Sequence, residues 1–200
     1  AVGLLLIAAV VPLAGFMLGR NMYRPTAGLY ACVVAVLGAA ITGRWLREGQ
    51  GPFLTLYDIL LSNLFSLTLM FLLISMIVTA VRVGILVTSP LLLLLSIWLS
   101  RVSELSVPGA FHNNWLWVHV LSGKVFLGFC LVAAATASIM LISSSGSSDR
   151  SARLTPSPER SEQAIWALFF IALICHSVML VAGAVWAHSA WGHFWSWDPL

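Results

Sequence analysis

Six apolar runs, divided by short polar connections, decide what this chain can fold into. They cover residues 2–19, 26–43, 59–81, 83–100, 115–142 and 164–187. A helix needs about 20 apolar residues to cross the hydrocarbon core of a bilayer, and each run meets or approaches that length. Charge agrees: 60% of the residues are hydrophobic and 8% charged, where a soluble domain carries about a quarter charged residues. So few charges cannot cover a water-facing surface, and mean hydropathy is +0.98. Lipid is therefore the solvent for most of the chain. The expected fold is all-α: an integral membrane bundle of about six transmembrane helices, forming one domain over residues 1–200.

The connections differ in character. Residues 20–25 form a short basic turn, and residues 44–55, with Gly49, Gly51 and Pro52, read as a structured loop. Little more than Arg82 divides the third run from the fourth, which predicts a tight helical hairpin, and Pro90 predicts a kink in the fourth. Residues 101–114 form a loop turning at Pro108-Gly109. The Ser/Pro-rich stretch 143–162 reads as a flexible cytoplasmic loop. With six crossings, Arg20, Arg24, Arg82, Arg150, Arg153 and Arg160 share one side, and Arg44, Arg47 and Arg101 the other. The richer side is expected in the cytoplasm, so both chain ends face outward. The chain opens without Met inside an apolar run and stops at Leu200, which reads as possible trimming at either end.

Several function classes find no support. Net charge is +3, but no basic stripe with interleaved aromatics exists, so nucleic acid is not an expected partner; membrane lipid is. Cys32, Cys130 and Cys175 stand singly in apolar segments and read as small buried hydrophobes. No HExxH, GxSxG or phosphate-binding glycine loop occurs.

The chemistry concentrates at the C-terminus. Trp186, Trp191, Trp195 and Trp197 fall within twelve residues, just past the last apolar run, with His188, His193 and Asp198 among them. An interfacial aromatic belt is one reading, although a belt needs fewer Trp and no His. A ligand platform is the other: flat indoles stack on a planar apolar macrocycle, and imidazole binds iron.

Here the residues show a family resemblance. Trp191-Gly192-His193-Phe194-Trp195-Ser196-Trp197-Asp198-Pro199 resembles the WGxxWxWDP signature of the cytochrome c assembly family, in the CcsA/ResC form of system II cytochrome c biogenesis. Gly183-Ala184-Val185-Trp186-Ala187 matches its lead-in. Pro52-Phe53-Leu54-Thr55-Leu56-Tyr57-Asp58 is similar to its P-x-S-N-L-Y-E stretch. Asn114-Trp115-Leu116-Trp117-Val118-His119-Val120 is similar to N-W-L-x-x-H-V. The likeness runs from about Tyr30 to the C-terminus. It implies haem, held as haem b at the outer face of a bacterial cytoplasmic or thylakoid membrane, for attachment to apocytochrome c. It also implies a second membrane subunit, the two together forming the haem lyase, so that this chain is at most one subunit of an enzyme. The Trp-rich segment 186–199 would cradle the haem, and His119 carries over as an axial ligand.

Other residues stay open. The family's second axial His comes after WDP, where this chain ends, so His188 or His193 is a candidate to face His119; the alternative makes both water-facing loop residues. His176, mid-membrane, reads as hydrogen-bonded to a neighbouring helix, with a second haem as the other possibility. Lys124 snorkels outward or meets a haem propionate, with Asp58 a possible partner. Asp198 caps or orients the Trp loop, and His112 is a loop residue. The ending at Leu200 fits a trimmed chain, a split protein, or a relative that holds haem inside another complex. Three functions follow: haem handling for cytochrome c assembly, a b-type haem electron-transfer or anchoring subunit, and a haem-free scaffold.

Overall fold

The computed structural model describes residues 2–18, 20, 23–49, 51, 55–103, 113–145 and 158–197. Every element among them is helical: α1 (Val2–Met17), α2 (Tyr23–Glu48), α3 (Leu56–Ile77), a 3-10 segment (Thr79–Gly84), α4 (Ile85–Leu99), α5 (Asn114–Ser145) and α6 (Pro158–Trp191). Five spans are long and apolar enough to cross a membrane, the 3-10 segment and α4 counting as one, and α1 is a shorter apolar helix. The all-α membrane bundle read from the sequence is what forms.

Helix ends depart from the apolar runs. α2 continues through Arg44, Trp45 and Arg47 to Glu48, where a loop was expected. Arg44 pairs with Glu48 one turn on, at 3.0 Å, which supports the extra turn. The hairpin around Arg82 is a 3-10 segment; Arg82 Nε donates to the Ser75 carbonyl at 2.9 Å, closing the end of α3. Pro90 lies within α4. The stretch 143–162 is helical at both ends, through Ser145 and from Pro158. Its middle lies outside the described residues, as do Pro52 to Leu54, Pro108-Gly109, His112, Arg150, Arg153 and Asp198.

α1 packs on α2 and α4, α2 on α3, and α3 on α4 and α5. α6 lies along α5, its main neighbour. The buried centre joins α2, α3 and α4. Tyr30 is fully buried, shares a 2.7 Å hydrogen bond with the Ser89 hydroxyl and meets Phe71 edge-on at 5.7 Å. A buried phenol in lipid needs such a partner.

Alternating helix direction brings the end of α2, the start of α3, the start of α5 and the end of α6 to one end of the bundle. A buried polar clamp ties the first two. Thr55 and Asp58 form a capping box at the start of α3, each side chain satisfying a backbone donor of the other. Asp58 Oδ1 accepts from Arg44 Nε at 2.5 Å, and the Arg44 guanidinium lies 5.1 Å from the Tyr57 ring centre. Asp58 thus pairs with Arg44, not with Lys124.

Removing one member of a buried pair leaves an uncompensated charge, which costs about 3–5 kcal/mol. Asp58→Ala should lower unfolding free energy by that amount, and Asp58→Asn, which keeps the cap, by less. Denaturant titration in detergent, followed by circular dichroism, measures both.

Candidate functional site where the last two helices meet

α5 has 32 residues and α6 has 34, or about 48 and 51 Å at 1.5 Å per residue. Both exceed the roughly 30 Å hydrocarbon core, so their ends reach headgroup depth. The site forms where the start of α5 meets the end of α6.

Two large side chains set the seam between these antiparallel helices, each over a glycine of the other. A Cβ on Gly183 would lie 2.5 Å from His119 Nδ1, and one on Gly123 would lie 2.9 Å from Met179 Sδ. The pairs sit one turn apart on both helices, since residues four apart share a face. Only a residue without a side chain leaves room for the His119 ring against α6. The ring is held there by a 2.8 Å hydrogen bond between Nδ1 and the Met179 carbonyl. A carbonyl can only accept, so Nδ1 carries the proton, and in the neutral tautomer of that kind the lone pair is on Nε2.

His119 lines a cavity of about 640 Å³. Its wall on α6 is one helical stripe, Leu180, Gly183, Ala184, Ala187 and Trp191, with Trp186 beside it. α6 runs to Trp191, one turn beyond the end of its apolar run. Gly192 then takes φ +80°, a left-handed value that favours glycine, and its N–H bonds the His188 carbonyl at 2.9 Å. This cap turns the chain back. His193, Phe194, Trp195 and Ser196 consequently line the same cavity.

The sequence candidates separate here. His119, Trp186, Trp191, His193 and Trp195 share the cavity, and Trp186 and Trp191 meet edge-on at 4.9 Å. His188 does not line it; the last turn of α6 carries His188 away, stacked on Phe194 at 4.3 Å. Trp197 is 90% exposed and touches Trp195 edge-on. Asp198 falls outside the described residues. His176 makes no hydrogen bond through its buried Nδ1; its ring packs on Phe126 at 4.6 Å, a ring contact in place of the expected bond. Lys124 points to α3, where Nζ donates to Ser62 Oγ and Asn63 Oδ1 at 2.8 Å each.

The sequence reading missed Gly183 as the seat of His119. The signal was there: Leu180, Gly183, Ala184 and Ala187 recur at helical spacing on one face. Among the described residues no three His, Cys, Asp or Glu side chains cluster as metal ligands. What the cavity offers is one oriented imidazole, a second nearby, and apolar aromatic walls. Volumes of 300–1,000 Å³ with few placed polar groups are typical of small-molecule and cofactor sites.

Residues 53–200 match the family described as cytochrome C assembly protein. A cytochrome c biogenesis protein CcsA from Microcystis aeruginosa is 25% identical over 84% of this chain and 66% of its own length. One from Synechococcus elongatus is 27% identical over 84% of this chain and 66% of its own length. One from Trieres chinensis is 28% identical over 98% of this chain and 76% of its own length. The chain thus spans just under two thirds of the first two relatives. No solved structure matches it.

The seam yields a prediction. Overpacking a filled site costs about 1–3 kcal/mol, so Gly183→Ala should destabilise the protein by that much through the His119 ring. In a His119→Ala background the same change should cost little. A double-mutant cycle on unfolding in detergent reads the coupling, expected at 0.5 kcal/mol or more.

Proposed function

This chain belongs to the cytochrome c assembly protein family, and from that premise we propose that it binds haem b and presents it at the outer membrane face for attachment to apocytochrome c. In this reading it works with a second membrane subunit as one part of a haem lyase. The observation that carries the proposal is the 640 Å³ cavity that gathers His119, His193, Trp186, Trp191 and Trp195.

The residues suit the group. Bound haem would supply an iron that nitrogen ligands can hold. His119 would be the first such ligand: its Nδ1–H is bound to the Met179 carbonyl, which fixes the tautomer that offers Nε2 and raises its basicity. His193 is the better second candidate, because it lines the cavity and His188 does not. The indoles give flat apolar faces for a macrocycle and shield it from water. Gly192 aims the segment after α6 back over His119. The outward orientation is supported by the arginine bias, six residues against three, and by a Trp-rich segment at headgroup depth. The relatives named for cytochrome c biogenesis support assembly over electron transfer.

Oxidised and reduced absorption spectra of the protein purified in mild detergent test this. A low-spin haem b spectrum is expected. His119→Ala and His193→Ala should each convert it to a high-spin or depleted form, with His188→Ala unchanged. A folded preparation without haem, or an unaltered His119→Ala spectrum, overturns the proposal. Maturation of a reporter cytochrome c in cells lacking their own assembly system then separates assembly from electron transfer: a covalent haem signal that disappears with His119→Ala is expected.

A further inference from the structure

The last turn of α6 carries a side chain that the His119 cavity does not use. His188 is exposed and does not line the cavity. Its ring nevertheless lies flat on Phe194, ring centres 4.3 Å apart at 19°, and Phe194 does line the cavity. The backbone of His188 engages the same segment: its carbonyl accepts the Gly192 N–H at 2.9 Å. One residue therefore holds the returning chain twice, by its backbone at Gly192 and by its ring at Phe194.

The two holds do different work. Gly192, with its left-handed backbone and its bond to the carbonyl four residues back, reverses the chain. That sets where the segment starts. It does not set where Phe194 and its successors go, because every further residue adds two soft dihedrals. Burial does little to settle them: Phe194 is 58% exposed, Trp195 65% and Trp197 90%. A contact between the last helical turn and a residue past the glycine commonly completes such a cap. Here that contact is a stack of two flat rings, which has a preferred geometry that a loose apolar contact lacks. Imidazole suits an exposed helix end, since it gives Phe194 a flat face and keeps ring nitrogens for water or headgroups.

We propose, resting on the haem reading above, that His188 is a positioning residue: its ring clasps Phe194, keeps the flanking His193 and Trp195 in the cavity with His119, and so slows the escape of bound haem. His188 acts through Phe194 and touches neither the cavity nor its contents. The iron keeps its ligands when the clasp is lost, so the absorption spectrum of the loaded protein stays that of wild type. The effect falls instead on how long the segment stays closed.

Two measurements on the full chain in detergent test the clasp, one of them without haem. In haem-free protein with Phe194 replaced by 4-fluorophenylalanine, the His188 ring should displace the fluorine resonance. His188→Ala and His188→Leu should both return it toward the solvent value, and His188→Phe, flat like imidazole, should keep it displaced. In haem-loaded protein, transfer of haem to excess apomyoglobin should be about fivefold faster in His188→Ala and His188→Leu, the factor a stacked ring pair is worth. His188→Phe should transfer at the wild-type rate. A resonance that ignores His188→Ala, or a transfer rate that does not follow the stack across the three variants, overturns the proposal. A folded chain that takes up no haem overturns the haem reading, and the fluorine resonance then decides the clasp by itself: indifference to His188→Ala overturns it, and loss in His188→Ala with recovery in His188→Phe supports it.

Discussion

The site depends on how closely α5 and α6 approach. Antiparallel helices in lipid gain little from burying apolar surface, since lipid tails are as apolar as leucine, and they associate through packing and hydrogen bonds. Here the packing is reciprocal: His119 fills the space over Gly183, and Met179 the space over Gly123. The polar link, from His119 to the Met179 carbonyl, crosses the same seam. Helix association and imidazole orientation are therefore one event. The ring that lines the cavity is also a group that joins the helices.

The polar side chains around this end of the bundle divide into two sets with different physics. Arg44, Glu48 and Asp58 neutralise one another around the capping box of α3, and this set anchors helix ends. Lys124 donates to the neutral side chains of Ser62 and Asn63. α5 stands between α6 and α3, with His119 toward the first and Lys124 toward the second. A single helix thus carries His119 and Lys124 five residues apart and on different faces.

How much of this could be read from the sequence follows from what hydropathy measures. The six apolar runs match the helices because twenty apolar residues in lipid have to satisfy their own backbone groups. Helix ends did not follow the runs. α2 passes Gly43 to Glu48 and α6 passes Ala187 to Trp191, because a helix stops where capping ends it and not where the side chains turn polar. That one extra turn is what separates His188 from His193, two residues that look equivalent in the sequence. The gathering of Trp186, Trp191 and Trp195 with His119 was legible through the family motifs. The pairing of Asp58 with Arg44, and the seating of His119 on Gly183, belong to tertiary packing and leave only a faint helical-spacing signal.

α6 presents two unlike flanks along one rod. Ile174, Val178 and Val181 face the bilayer, where lipid accepts almost any apolar side chain. Met179, Gly183, Ala187 and Trp191 face α5 and the cavity, four residues apart in succession. Inserting or deleting one residue between Gly183 and Trp186 would leave the span's length and hydropathy nearly unchanged. It would also rotate everything beyond it by about 100°, turning the tryptophans out of the cavity while His119 kept its carbonyl. The C-terminal half of this helix is therefore constrained in phase more than in composition, as a ratchet is constrained by its tooth count and not by its metal.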